Sequence, residues 1–135
     1  RISRARKKLI FAAMPFDKEY DDVFFVSIVE AAKSLNAEAK RVDKEEFSGD
    51  VVDQIETLIQ ESTAVVADLS ESKPNVLYEV GFAHAVPRPT VHICSTPLDK
   101  LPFDVRNWNT IEYMRGQTHK LKAKLLDRLR AIAKW

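Results

Sequence analysis

Short apolar runs alternate with longer amphipathic stretches along this chain. Leu9-Ile10-Phe11-Ala12-Ala13, Ala64-Val65-Val66-Ala67 and Thr90-Val91-His92-Ile93-Cys94 are nearly unbroken apolar segments. Such segments suit strands buried on both faces of a parallel sheet. Ala37–Val42 and Thr110–Met114 read as weaker strands, the first half exposed and suited to a sheet edge. Strands are thus predicted at 9–13, 38–42, 64–68, 90–94 and 110–114. Between them, from Tyr20 to Leu35, the residues Val23, Phe24, Ile28, Ala31, Ala32 and Leu35 recur at the spacing of one helix, with Asn36 as a stop. Val51, Val52, Ile55, Leu58 and Ile59 mark a second helix, capped by Ser48 or Asp50. A third follows Pro74, over Asn75–Val86, and ends at Pro87-Arg88-Pro89. Beyond a connection holding Pro97 and Pro102, Gly116 separates the fifth strand from a last helix, Thr118–Lys134.

The order β-α-β-α-β-α-β-loop-β-α predicts right-handed crossovers and a three-layer, doubly wound α/β domain. Its expected sheet is parallel, with the flavodoxin-like strand order 2-1-3-4-5. In such a sheet the chain leaves strands one and three in opposite directions. The crevice opened at their carboxyl ends is where ligands bind. It falls between Met14–Asp17 and the stretch from Asp68 through Asn75 to the following helix.

Composition narrows the class without choosing a partner. The 135 residues suit one domain, with no internal repeat. Apolar residues make up 45% and charged residues 30%, and Gly and Pro are few, which excludes a disordered or low-complexity chain. No apolar stretch reaches the ~20 residues of a membrane span, and no signal peptide is visible. The net charge of +1 makes nucleic acid an unexpected partner. Basic residues do crowd both ends: Arg1, Arg4, Arg6, Lys7 and Lys8, then Lys120, Lys122, Lys124, Arg128 and Arg130. A solvated face accounts for them more simply than a polyanion-binding patch. The single cysteine, Cys94, fits a reducing cytoplasm and a buried packing role. A first residue Arg1 rather than Met suggests a domain cut from a longer protein.

Candidate chemistry gathers at the predicted crevice. Asp68 ends a buried strand, where a carboxylate needs solvent, a partner or a ligand; a helix cap or a loop hydrogen bond is the alternative role. Asn75 lies near a helix start and could cap it. Glu79 follows one turn later on the same helix, among Val76, Leu77, Val80 and Gly81. Asp17, Asp43 and Asp50 fall in loops that could border the crevice; Phe16 and Phe47 carry rings able to stack on a base. Phe103-Asp104-Val105-Arg106 reads as packing before strand five, with Asp104 or Arg106 able to reach a neighbouring subunit. Three scattered histidines (His84, His92, His119) and one cysteine give no metal-ligand spacing. There is no Walker-type loop and no Gly-x-Gly-x-x-Gly.

The stretch ADLSESKPNVLYEVGFAHA, followed by PTVHI, resembles the nucleoside 2-deoxyribosyltransferase-like group and the related Toll/interleukin-1 receptor (TIR)-like proteins. The matching residues are Asp68, Pro74, Asn75, Val76, Tyr78, Glu79, Gly81, Ala83, His84 and Ala85. FAAMPFDKEYDDVF and LPFDVRNWNTIEY are similar to further segments of this group. The resemblance implies that Glu79 is the catalytic residue, acting on a base–sugar bond. It implies substrate contacts from Met14, Pro15, Phe16, Asp17, Asp68, Ser70, Asn75 and Tyr78. NAD or another nucleotide would be substrate or ligand, with no separate cofactor and no metal. It also leaves open a non-catalytic module that senses a nucleotide or self-associates, with a homo-oligomer or a sensor segment of a longer chain as partner. Two departures stand out: Ser70-Glu71-Ser72-Lys73-Pro74-Asn75 lacks the aspartate that transferases place before the glutamate, and Tyr78 stands where NAD-cleaving TIR domains often have a tryptophan nearby.

Overall fold

The computed structural model describes residues 7–42, 50–101 and 106–135. Asp43, Phe47, Ser48, Phe103, Asp104 and Val105, with Arg1, Arg4 and Arg6, lie outside the described residues. Five strands form one parallel sheet: β1 (Lys8–Ala13), β2 (Ala37–Lys40), β3 (Ala64–Asp68), β4 (Thr90–Cys94) and β5 (Ile111–Glu112), in the order β2-β1-β3-β4-β5. Lys8 pairs with Ala37, Ile10 with Ala64, Val65 with Thr90 and Ile93 with Ile111. This is the predicted topology.

Strand alternation divides the core between two faces. Ile10, Ala12, Ala64, Val66, Val91 and Ile93 pack toward one layer, formed by α1 (Val29–Ser34) and α4 (Thr118–Ile132). Phe11, Ala13, Val65, Ala67 and Cys94 pack toward the other, formed by α2 (Val51–Glu61) and α3 (Pro74–Ala85). Two-sided burial is why these strands read as unbroken apolar runs.

Several local expectations change. The stretch expected as one α-helix from Tyr20 winds as a 3-10 turn over Lys18–Tyr20, as a π-helix over Val23–Ile28, and only then as α1. The wide turns still send Val23, Phe24, Ser27 and Ile28 inward together, so the apolar spacing did not reveal them. Asn36 ends the segment with a left-handed backbone, φ 54°, a conformation asparagine tolerates. β2 stops short of Arg41 and Val42. Arg41 is fully buried, pairs with Asp21 at 2.8 Å and lies over the Phe24 ring at 4.8 Å. β5 covers two residues rather than five, and Asp50 caps α2 by accepting from the Val52 N–H at 2.8 Å. At α3 the N-cap is Lys73, so Asn75 lies within the first turn and is not the cap. No helix among the described residues is long and apolar enough to cross a membrane.

Candidate functional site

The strand order places β1 and β3 side by side at the centre, and their carboxyl ends form the switch point. The loop after β1 turns toward β2, while the loop after β3 turns toward α3. A cavity of about 490 Å³ opens between them. Pro15, Phe16 and Asp17 line it from the first loop; Lys73, Asn75, Tyr78 and Glu79 line it from the start of α3. Val42 and the first turns of α2, through Val51, Val52 and Ile55, close the far wall.

Glu79 faces this cavity from a buried position, 4% exposed. No hydrogen bond or ion pair to its carboxyl group occurs among the described residues. Burial alone pushes its pKa up to about 7, because removing water penalises the charged form. Glu79 therefore carries its charge only part of the time at neutral pH, and among the described residues no cation pairs with it. A cation held in the cavity would.

The rest of the lining is apolar or sits at the mouth. Phe16, Val51, Val52 and Tyr78 each remain roughly half exposed around the opening, a rim able to take the face of a flat ring. The Tyr78 hydroxyl donates to Glu56 at 2.6 Å, which ties α3 to α2 across the rim. Asp17 and Lys73 form an exposed pair at 3.6 Å. Pro74 occupies the first helical position and no side chain caps the helix. The first N–H groups of α3 thus lack a capping side chain at the positive end of the helix dipole, beside the cavity.

Met14, Asp68 and Ser70 are placed differently. All three are buried and none lines the cavity. Asp68, at 0% exposure, accepts from the Ser70 N–H at 2.9 Å, the Ser70 hydroxyl at 2.6 Å and the Tyr113 hydroxyl at 2.6 Å. The Ser70 hydroxyl oxygen in turn accepts from the Ser95 N–H at 2.9 Å. Burial raises the Asp68 pKa, while the bonds from Ser70 and Tyr113 oppose the rise. Asp68 thereby fastens the β3–α3 loop to the ends of β4 and β5. Ser95 and Tyr113 belong to a separate, smaller cavity of about 360 Å³, with Lys120 and Lys124 in its wall.

Between the two regions the loop after β3 is held in an unusual shape. Glu71 and Ser72 both adopt left-handed backbone, φ 64° and 50°, which is uncommon outside glycine and asparagine. The Tyr20 hydroxyl donates to Glu71, and Arg115 donates to the Tyr20 hydroxyl and pairs with Glu19 at 2.9 Å. The Tyr20 bond, chiefly, holds the Glu71 carboxyl below its ordinary value. This network sets where Lys73 and the start of α3 stand.

Sequence reasoning thus brought Pro15, Phe16, Asp17, Asn75, Tyr78 and Glu79 to one place. It missed the wall made by Val42, Val51, Val52, Ile55 and Lys73. A signal for part of that wall was present: Val51 and Val52 widen the apolar stripe of α2 beyond what packing on the sheet uses, at the end nearest the crevice.

Sequence searches give no matching protein-family model and no matching curated protein. Solved structures do match. The 2-desoxiribosyltransferase from Leishmania mexicana is 18% identical, with a TM-score of 0.56, over 76% of this chain and 72% of that one. The CMP N-glycosidase of Clostridium botulinum is 14% identical, with a TM-score of 0.64, over 87% and 98%. The TIR domain of a Toll-related receptor from Hydra magnipapillata is 10% identical, with a TM-score of 0.66, over 88% and 94%. The chain shares their fold. At these identities the likeness is one of architecture, and it agrees with the two groups that the sequence resembles.

Proposed function

We propose that this domain handles nucleosides or nucleotides and cleaves the bond between base and sugar, with Glu79 beside the reacting carbon. The observation that carries the reading is a buried glutamate, without a partner among the described residues, facing an open cavity at the switch point. Breaking an N-glycosidic bond builds positive charge on the sugar ring. A carboxylate in a low-dielectric wall stabilises that charge strongly, or attacks the carbon and holds the sugar covalently until water or another acceptor releases it. The half-exposed rings of Phe16 and Tyr78 suit a base at the mouth, and Lys73 with the uncapped start of α3 suits a phosphate. NAD or a nucleoside phosphate is the ligand class that uses all of these features. Two of the structural neighbours, by their names, are a 2-desoxiribosyltransferase and a CMP N-glycosidase.

A second reading is favoured by the apolar rim and by the TIR-domain neighbour: a module that binds a nucleotide, or another copy of itself, without turnover. An ion pair on Glu79 would have supported it; a carboxyl group without a partner among the described residues favours catalysis. Incubation with a panel of nucleosides, nucleotides and NAD, followed by chromatography for free base, separates the two. Base release that depends on Glu79 supports the enzyme. Tight binding of a nucleotide with no base released supports the module.

A further inference from the structure

The loop between β3 and α3 carries backbone strain. Glu71 and Ser72, side by side, are left-handed, with φ 64° and 50°. Neither is the glycine or asparagine that takes this conformation readily. Strain of this kind persists only where the surroundings over-determine it, and it clusters at ligand sites. Two bonds to the loop backbone contribute. The Ser72 N–H donates to the Leu69 carbonyl at 3.0 Å, and the Glu71 N–H to the Thr96 hydroxyl at 3.3 Å.

The remaining hold is on the Glu71 side chain, and it comes from outside the loop. The Glu71 carboxylate accepts from the hydroxyl of Tyr20, a residue only 1% exposed in the turn after β1. The same hydroxyl accepts from Arg115, which lies in the turn between β5 and α4. A phenol can do both at once, giving its one proton to the acid and a lone pair to the cation. The Arg115 guanidinium also lies over the Tyr20 ring, 4.6 Å from its centroid, and pairs with Glu19 at 2.9 Å. Segments that follow β1, β3 and β5 thus meet at one hydroxyl oxygen. Tyr20, Glu71 and Arg115 do not line the Glu79 cavity. Lys73, the next residue after the strained pair, does line it, and from there α3 runs on through Asn75, Tyr78 and Glu79.

We infer that Tyr20 and Arg115 are positioning residues for the Glu79 site: through Glu71 they hold the strained loop that sets the start of α3 against the cavity. The inference rests on the reading of that cavity as a nucleotide site; the hold on the loop itself does not. Glu19, Glu71 and Arg115 are partly exposed, so their ion pairs add little to the stability of the whole fold. Relaxation of the strained backbone also offsets part of whatever bond is lost. The network therefore governs where the loop stands more than whether the domain folds.

Tyr20→Phe keeps the buried ring and removes the hydroxyl. Hydrogen exchange read by mass spectrometry should quicken at least about tenfold in the segment 70–75, as loss of one bond to a charged group allows. Exchange in β3 and β4 and the melting temperature should change little. Arg115→Gln should loosen the same segment by less. Affinity of Tyr20→Phe for NAD and for cytidine 5′-monophosphate should fall about tenfold, and any turnover by up to about 10²-fold, as for a reacting group displaced by about 1 Å. Ser72→Gly in the Tyr20→Phe background should recover part of that affinity, because glycine takes left-handed backbone without steric cost. A hydroxyl that only adds stability gives no such recovery. Unchanged loop exchange in Tyr20→Phe overturns the inference, as does faster exchange with unaltered affinity. A parent chain that binds neither nucleotide defeats the reading of the cavity instead, and loop exchange then still decides whether Tyr20 holds the loop.

Discussion

Two buried acids stand at the same edge of the sheet and differ in almost everything else. Asp68 is enclosed and accepts hydrogen bonds from Ser70 and Tyr113. Glu79 is nearly as buried, has no such partner among the described residues, and faces an open cavity. A buried acid whose lone pairs are filled by its own chain has been used up as structure. A buried acid left without partners is destabilising unless something else gains from it, and at a cavity wall that gain is chemistry on a ligand. The contrast separates fastener from reagent where sequence position alone treats the two alike.

Glu79→Gln should have the largest effect. It keeps the shape and removes the charge, so base release should fall by about 10²–10³-fold, as for loss of one preorganised electrostatic group. Ligand affinity should change far less, because charge on the sugar develops only in the transition state. Single-turnover assays against equilibrium binding check this. Equal base release by Glu79→Gln and the parent chain would remove Glu79 from the chemistry.

Stability against pH sharpens the same comparison. The Glu79 pKa is raised from an ordinary 4.5 to about 7. Between those values the unfolded chain has lost the proton that the folded chain keeps. Stability from this group is therefore complete below pH 4.5, falls as pH rises toward 7, and is lost above it, by on the order of 3 kcal/mol. Glu79→Gln should flatten that slope and be the more stable protein at pH 8, while it is the less active one. Turnover of the parent chain should rise as pH passes through about 7, where the folded chain's carboxylate forms. Urea titrations at pH 5 and pH 8 read the first effect, and a pH–rate profile reads the second. An unchanged slope in Glu79→Gln would show that Glu79 is not the group held neutral.

At Asp68 the expectation reverses. Tyr113→Phe removes one donor from a fully buried carboxyl group, and should destabilise the fold by about 1–3 kcal/mol. Turnover per folded molecule should change little. If the variant keeps its stability and loses activity, Asp68 belongs with Glu79 after all. The smallest effect is expected at the rim. Tyr78→Phe loses an exposed hydrogen bond to Glu56 and should alter stability by less than about 1 kcal/mol. It keeps the ring, so nucleotide affinity should hold; Tyr78→Ala should weaken it if a base stacks there.

Much of this molecule is written in its sequence. The central strands bury both faces, so their apolar runs declared their positions to within a residue, and the alternation of strands with helices fixed the order β2-β1-β3-β4-β5 and with it the crevice. Glu79 stood out because it is a charge among Val76, Leu77, Val80 and Gly81 one turn into a helix that starts at that crevice. The short edge strand β5 was overextended because edge strands bury less and their pattern is weaker. The tertiary structure alone decided that Asp68 turns away from the cavity, because its partner Tyr113 lies forty-five residues on. It alone made Val51, Val52 and Ile55 the far wall and joined Tyr20 to Glu71. Local periodicity records which face of an element is buried, but not which side chain of another element meets it there. Those meetings depend on strand register and on the crossover that returns each helix to the sheet.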